Sequence, residues 1–153
     1  MDQGAPRTVV TFQSTSFNTS QHKDYFINPG CYGDDVARWL IEKLRAIGIQ
    51  TDTEPDQEDF GWYFSFTIDG VSYHLVIGYR PGAKNEPGTW IAWLEQKVGL
   101  LKVFVGAHKK QISTSAAIAI HAALSSSPAI GAIRWHTQKN FDAGQEELGE
   151  AAP

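Results

Sequence analysis

Apolar residues change their period along this chain, and the changes mark its elements. From Asp34 to Ile47 the side chains Val36, Trp39, Leu40, Ile41, Leu44 and Ile47 recur three and four residues apart, which describes one face of an α-helix. Asp34 and Asp35 put negative charge at the positive end of its dipole, and Gly48 can take the left-handed conformation that closes a last turn. Further on the period becomes two. Trp62 to Ile68 and Val71 to Tyr79 flank Asp69-Gly70, the dipeptide favoured in a type I′ hairpin turn. A two-residue loop there sets the register: Ile68 faces Val71, Phe66 faces Tyr73, Phe64 faces Leu75 and Trp62 faces Ile77 on a core surface. The opposite surface carries Thr67 with Ser72, Ser65 with His74 and Tyr63 with Val76, a polar set with an aromatic patch at its far end.

Weaker patterns fill the remainder. Residues 8 to 17 are rich in β-branched and aromatic types and predict a first strand, whose polar content predicts an edge position. Asn28-Pro29-Gly30 is turn chemistry. After a turn-rich loop over 81 to 88, the run Trp90 to Glu95 returns as the third strand of a meander. Val98 to Val105 satisfies neither period and is open to a strand or a short helical turn. Ser113-Thr114-Ser115 offers capping hydroxyls to a second helix over Ala116 to Leu124, with Ile112, Ile118, Ile120 and Leu124 as its apolar surface. Ala129 to His136 predicts a last short strand. The expected fold is α+β: an antiparallel sheet of about four to five strands with two helices packed on one face. Residues 1 to 138 are expected to form a single domain, and 139 to 153 a flexible acidic tail.

Composition narrows the class. At 153 residues the chain can bury roughly 68 to 70% of its unfolded surface, so its core needs no crosslink. Its one cysteine, Cys31, fits a reducing compartment, and the absence of an apolar leader or a long apolar run predicts a cytoplasmic protein without a membrane partner. The net charge is −4, but Asp142, Glu146, Glu147 and Glu150 supply most of it, leaving twelve basic and thirteen acidic residues over 1 to 138. A body so close to neutral lacks the footprint of a nucleic-acid binder.

Two short signatures stand out beside these patterns. Asn28-Pro29-Gly30-Cys31-Tyr32-Gly33 precedes the Trp39-Leu40 helix, and Glu58-Asp59-Phe60-Gly61-Trp62 opens the hairpin, with Arg134-Trp135 near the end. Over roughly residues 28 to 136 this combination resembles a set of small bacterial α+β proteins that carry no assigned activity. The resemblance implies fold and a bacterial cytoplasmic origin, and it transfers no catalytic residue.

The chain holds few constellations that could carry chemistry. Asp52, Glu54, Asp56, Glu58 and Asp59 alternate like calcium ligands, but a loop starting at Asp52 would have Gln57 where glycine belongs and Tyr63 where a bidentate glutamate belongs. Glu58 and Asp59 read more simply as carboxylates that accept turn N–H groups. His74, His108, His121 and His136 are scattered without zinc spacing. Cys31 precedes a helix whose dipole could lower its pKa. No nucleophile elbow, phosphate loop or dinucleotide fingerprint is present. No catalytic residue, metal or cofactor is therefore expected.

Five tryptophans carry more information. Trp90 and Trp93 have opposite strand parity and face opposite ways. With Trp93 inward, Trp90 joins Tyr63 or Tyr79 as an outer aromatic platform, the residue type enriched at interfaces. Trp90, Tyr63, Tyr79, Glu58 and Asp59 are the expected partner-binding residues. The leading expectation is a non-catalytic protein-binding module of the immunity-protein, inhibitor or secretion-chaperone kind, with another protein as partner. The alternatives are a small enzyme or ligand-binding domain, with a cleft between the Gly30 to Gly33 turn and the hairpin mouth, and a homodimer paired through a sheet edge.

Overall fold

The computed structural model describes residues 5–27, 30–59, 61–96 and 114–153. The run Val98 to Val105, Asn28 and Pro29 of the predicted turn, and the capping residue Ser113 lie outside the described residues. The Asp-Gly hairpin is the centre of the architecture. Strands β4 (Gly61–Ile68) and β5 (Val71–Arg80) pair from Ile68↔Val71 to Trp62↔Ile77 in the register that the turn dictates. Asp69 and Gly70 both have positive φ, 52° and 77°, as a type I′ turn requires.

Five more strands extend this ribbon into an antiparallel sheet of seven: β1 (Arg7–Gln13), β2 (Gln50–Thr51), β3 (Asp56–Glu58), β6 (Thr89–Gln96) and β7 (Gly131–Thr137). The order is β2-β4-β5-β6-β1-β7, with β3 pairing β4 beside β2. The expected four to five strands grow to seven because β2 and β3 are only two and three residues long. β2 lies just before the acidic stretch and β3 within it, and strands this short and polar show no apolar alternation.

The inner sheet face carries Val10, Phe12, Phe64, Phe66, Tyr73, Leu75, Ile77, Trp90, Ala92, Leu94 and Trp135. Against it pack helices α1 (Asp34–Ala46) and α2 (Thr114–Ser125), so both predicted helices share one core with one face of the sheet. Leu40 and Leu44 of α1 are fully buried, each contributing about 1.5–3 kcal/mol. Gly48, with φ 87°, closes α1: Gly48 N–H donates to Arg45 O and Ile49 N–H to Leu44 O, both at 3.0 Å. Ile118, expected to add apolar surface to the core, points outward on α2 and is exposed. Among the described residues, no helix is long and apolar enough to cross a membrane.

Two expectations about the ends of the chain are corrected. The first strand is not an edge: β1 lies between β6 and β7, pairing with both. Its polar residues Thr8 and Thr11 are nevertheless buried, because a second layer covers this part of the outer face. That layer is the segment expected to be a tail. Gln138–Asp142 form α3, capped where the Thr137 hydroxyl accepts from Asn140 N–H at 3.1 Å. A 3-10 turn follows at Glu146–Leu148. Glu150 then bridges to Trp135 on β7 through backbone bonds of 2.7 and 2.8 Å. Asn140 and Phe141 give this acidic stretch enough capping and apolar contact to settle on the sheet.

Candidate functional site

The pairings lay out the outer face in rows. One row crosses the whole sheet as Asp56, Tyr63, Val76, Trp93, Val9 and His136, and the next runs Ser65, His74, Glu95. Over β4, β5 and β6 the outward side chains Tyr63, Ser65, Thr67, Ser72, His74, Ile91 and Trp93 are partly exposed. Val76 lies buried between Tyr63 and Trp93, so the two aromatic rings flank an apolar floor.

Carboxylates surround this patch. Burial raises the Tyr63 phenol pKa, and the negative charges of Asp56, Glu58 and Asp52 raise it further, which sets three carboxylates within electrostatic reach of its hydroxyl. All three are exposed. At the other side Trp93 Nε1 donates to Glu95 Oε1 at 3.1 Å. His74 stands edge-on to Tyr63 with ring centroids 5.4 Å apart, and its Nδ1 is 3.0 Å from Ser65 Oγ. A serine, a histidine and a glutamate in one row suggest acyl transfer by residue type alone. The surroundings oppose it: Ser65 N–H donates to Asp52 Oδ2 at 2.9 Å, which places a carboxylate where an oxyanion would need donors. The arrangement is suited to hydrogen bonding and to contact with cationic groups.

The structure divides the residues expected at the site. Tyr63 and Glu58 belong to the outer patch. Trp90 does not: it is fully buried on the inner face, 4.7 Å from Tyr79 and 6.0 Å from Phe17 between ring centroids. Tyr79 is with it on the inner side, at the hairpin mouth, and also meets Tyr32 edge-on. Trp93 is the outward tryptophan. The physical reason is the pairing of β6 with β5, which sets Trp93 opposite Val76 and Trp90 opposite Tyr79. Parity with Glu95 carried the same information, since a carboxylate two residues on from Trp93 has to face water. Asp59 is exposed at the hairpin mouth, where its charge acts on Cys31.

At that mouth the described aromatic side chains pack against one another. Tyr25, Phe26, Tyr32 and Trp62 meet edge to face at centroid distances of 5.2 to 6.1 Å. Trp62 Nε1 donates to Cys31 O at 2.8 Å, and Ile27 N–H donates to the Gln57 side-chain oxygen at 2.8 Å. Burial pushes the Cys31 thiol pKa up and Asp59 adds to the rise, outweighing the lowering influence of the Gln57 side chain, so the sulfur is held protonated. Beside it, Asp34 at the start of α1 takes hydrogen bonds from the Tyr25 hydroxyl and from Arg38, and Arg38 also bonds Glu54 at 3.0 Å. Among the described residues, a cavity of about 790 Å³ lies elsewhere, between α3 and the outer face at Val9, Trp93 and Glu95. Among the described residues, no three His, Cys, Asp or Glu side chains converge as a metal site.

No family model, no curated protein and no solved structure matches the chain.

Proposed function

We propose that this protein is a non-catalytic protein-binding module that docks a basic partner on the open part of its outer sheet face. The observation that supports this reading is the Tyr63–Val76–Trp93 row, two partly exposed aromatic rings over a buried valine, rimmed by Asp52, Asp56, Glu58 and Glu95. Aromatic anchors on a rigid sheet supply contact area at low entropic cost, and rim carboxylates steer a cationic partner and set its orientation. The closed aromatic packing at the hairpin mouth and the raised thiol pKa of Cys31 give the cleft-enzyme reading no such support.

The test is affinity capture from the protein's native cells, followed by binding measurements on the captured partner. Tyr63→Ala and Trp93→Ala are each expected to weaken binding at least about tenfold, the scale of a hot-spot truncation, while both variants stay folded. Asp56→Lys with Glu58→Lys should slow association, by a factor that shrinks as salt rises. A stoichiometric partner that binds Trp93→Ala as tightly as the wild type overturns the reading, as does the absence of any stoichiometric partner.

A further inference from the structure

At the far end of the same row, His136 is sealed from solvent. It is 2% exposed on the outer side of β7, and three elements enclose it. From β1, Thr11 Oγ1 lies 2.8 Å from its Nε2. From α3, the Phe141 ring stands 5.7 Å away between centroids. From the returning chain, Gly149 approaches so closely that a Cβ there would come within 2.5 Å of the imidazole Cε1 and 2.8 Å of Nδ1. A side chain there would have to displace the ring. Nδ1 is buried and has no hydrogen-bond partner among the described residues.

This geometry selects one charge state. In the neutral ring with its proton on Nε2, the Nε2–H donates to Thr11 Oγ1 and Nδ1 is a bare acceptor, which is tolerable in an apolar enclosure. Protonation puts a second N–H on Nδ1 with nothing to receive it and adds a buried charge. Among the charged groups around the ring, Glu146 favours the cation, while Arg134 and Arg80 oppose it. Glu146 is itself held by Arg80 through two bonds of 2.8 and 2.9 Å. The other charged side chains on the enclosing elements are Arg7 on β1, Lys139 and Asp142 on α3, and Glu147 and Glu150 on the returning segment.

We propose that residues 138 to 150 are an acid-released cover, closed over β7 while His136 is neutral and detached when the imidazole takes up a proton. Enclosure lowers the His136 pKa, chiefly by burial. The closed form therefore binds fewer protons than the open form, and its stability falls as the pH drops below the ordinary histidine value. Release strips the Trp135 N–H and C=O of their Glu150 partners and leaves β7 with an open edge, able to accept another strand. None of this depends on the docking role of Tyr63 and Trp93.

Amide hydrogen exchange on the full chain, with NMR of the His136 ring, tests the proposal. The protection factors of the Trp135 and Glu150 amides should fall by up to about tenfold per pH unit below the ordinary histidine value, the limit for one proton, while the β4–β5 hairpin amides hold theirs. In His136→Asn the loss of protection should no longer depend on pH. Protection that stays flat in the wild type as the ring titrates overturns the proposal, as does an unchanged pH response in the variant. Should His136→Asn be open at every pH, the wild type decides: a shared midpoint for ring and amides supports the cover, and separate midpoints overturn it.

Discussion

The row that runs from Asp56 to His136 begins in water and ends in an enclosed layer, although its strands alternate in the same way throughout. On the β4–β6 side the outward residues Ser65, Thr67, Ser72 and His74 remain partly exposed and bond to one another, as in Thr67 Oγ1 to Ser72 Oγ at 3.1 Å. On the β1–β7 side Thr11 and His136 bond in the same manner but are buried by α3 and the chain that follows it. Similar polar chemistry thus decorates one half of the face and sits inside the other. The difference comes from where the chain returns, not from the strands themselves. A hydrogen bond lost in the open half is replaced by water, and one lost in the covered half is not.

The largest test of this contrast is on β6, where Trp90 and Trp93, three residues apart, face opposite sides of the sheet. Trp90→Ala empties a fully buried site against Tyr79 and Phe17 and should cost about 3–5 kcal/mol in denaturant unfolding. Trp93→Ala removes a partly exposed ring and should cost about 1 kcal/mol. Equal losses would mean that the outer patch is a second core and would remove the physical basis for docking there.

How far the sequence revealed this arrangement depended on whether the deciding signal was local. The hairpin was legible to the residue, because Asp69-Gly70 admits essentially one turn and the period of two does the rest. Helix α1 was legible for the same reason: its stripe from Val36 to Leu44, its acidic first turn and Gly48 all agree, although Ile47, expected to extend the stripe, is exposed past the last turn. The orientation of β6 was only half read, since the parity of Trp90 and Trp93 gives opposite faces without saying which is inner. The resolving residue, Glu95, stood in view two positions on. The place of β1 in the sheet was not legible, because the cover that buries Thr8 and Thr11 lies more than a hundred residues away in sequence. Its charges, Asp142, Glu146, Glu147 and Glu150, hid the capping by Thr137 and the contact made by Phe141. Of the outer patch, the outward side of Tyr63 is legible in the strand pattern and that of Trp93 in its parity with Glu95, whereas the place of Asp52 beside Ser65 required knowing which strands are neighbours.

A smaller effect compares the two hydroxyls that bond a histidine. Thr11→Val keeps the shape of the side chain but leaves the His136 ring buried with neither nitrogen paired, a loss of about 1–3 kcal/mol. Ser65→Ala leaves His74 on a partly exposed surface and should stay within about 0.5 kcal/mol of the wild type. Denaturant unfolding of the two variants side by side measures the difference between the halves directly. If Ser65→Ala proves the costlier, the open half is not wet and the contrast fails.

The smallest expected effect lies where the halves are tied together. Arg80 on β5 holds Glu146 of the returning segment through a bidentate pair, the one ion pair among the described residues that links the hairpin to the C-terminal layer. Both side chains are substantially exposed, so solvent screening limits the contribution despite the favourable geometry. Arg80→Gln should cost up to about 1 kcal/mol at low salt and close to nothing in concentrated salt. The loss should appear first in the exchange of the Glu150 amide and only weakly in global unfolding, because the pair fastens the cover and the core forms without it. A global loss well beyond that figure would instead make the C-terminal layer part of the cooperative core, and the two halves of the face would then differ in composition but not in stability.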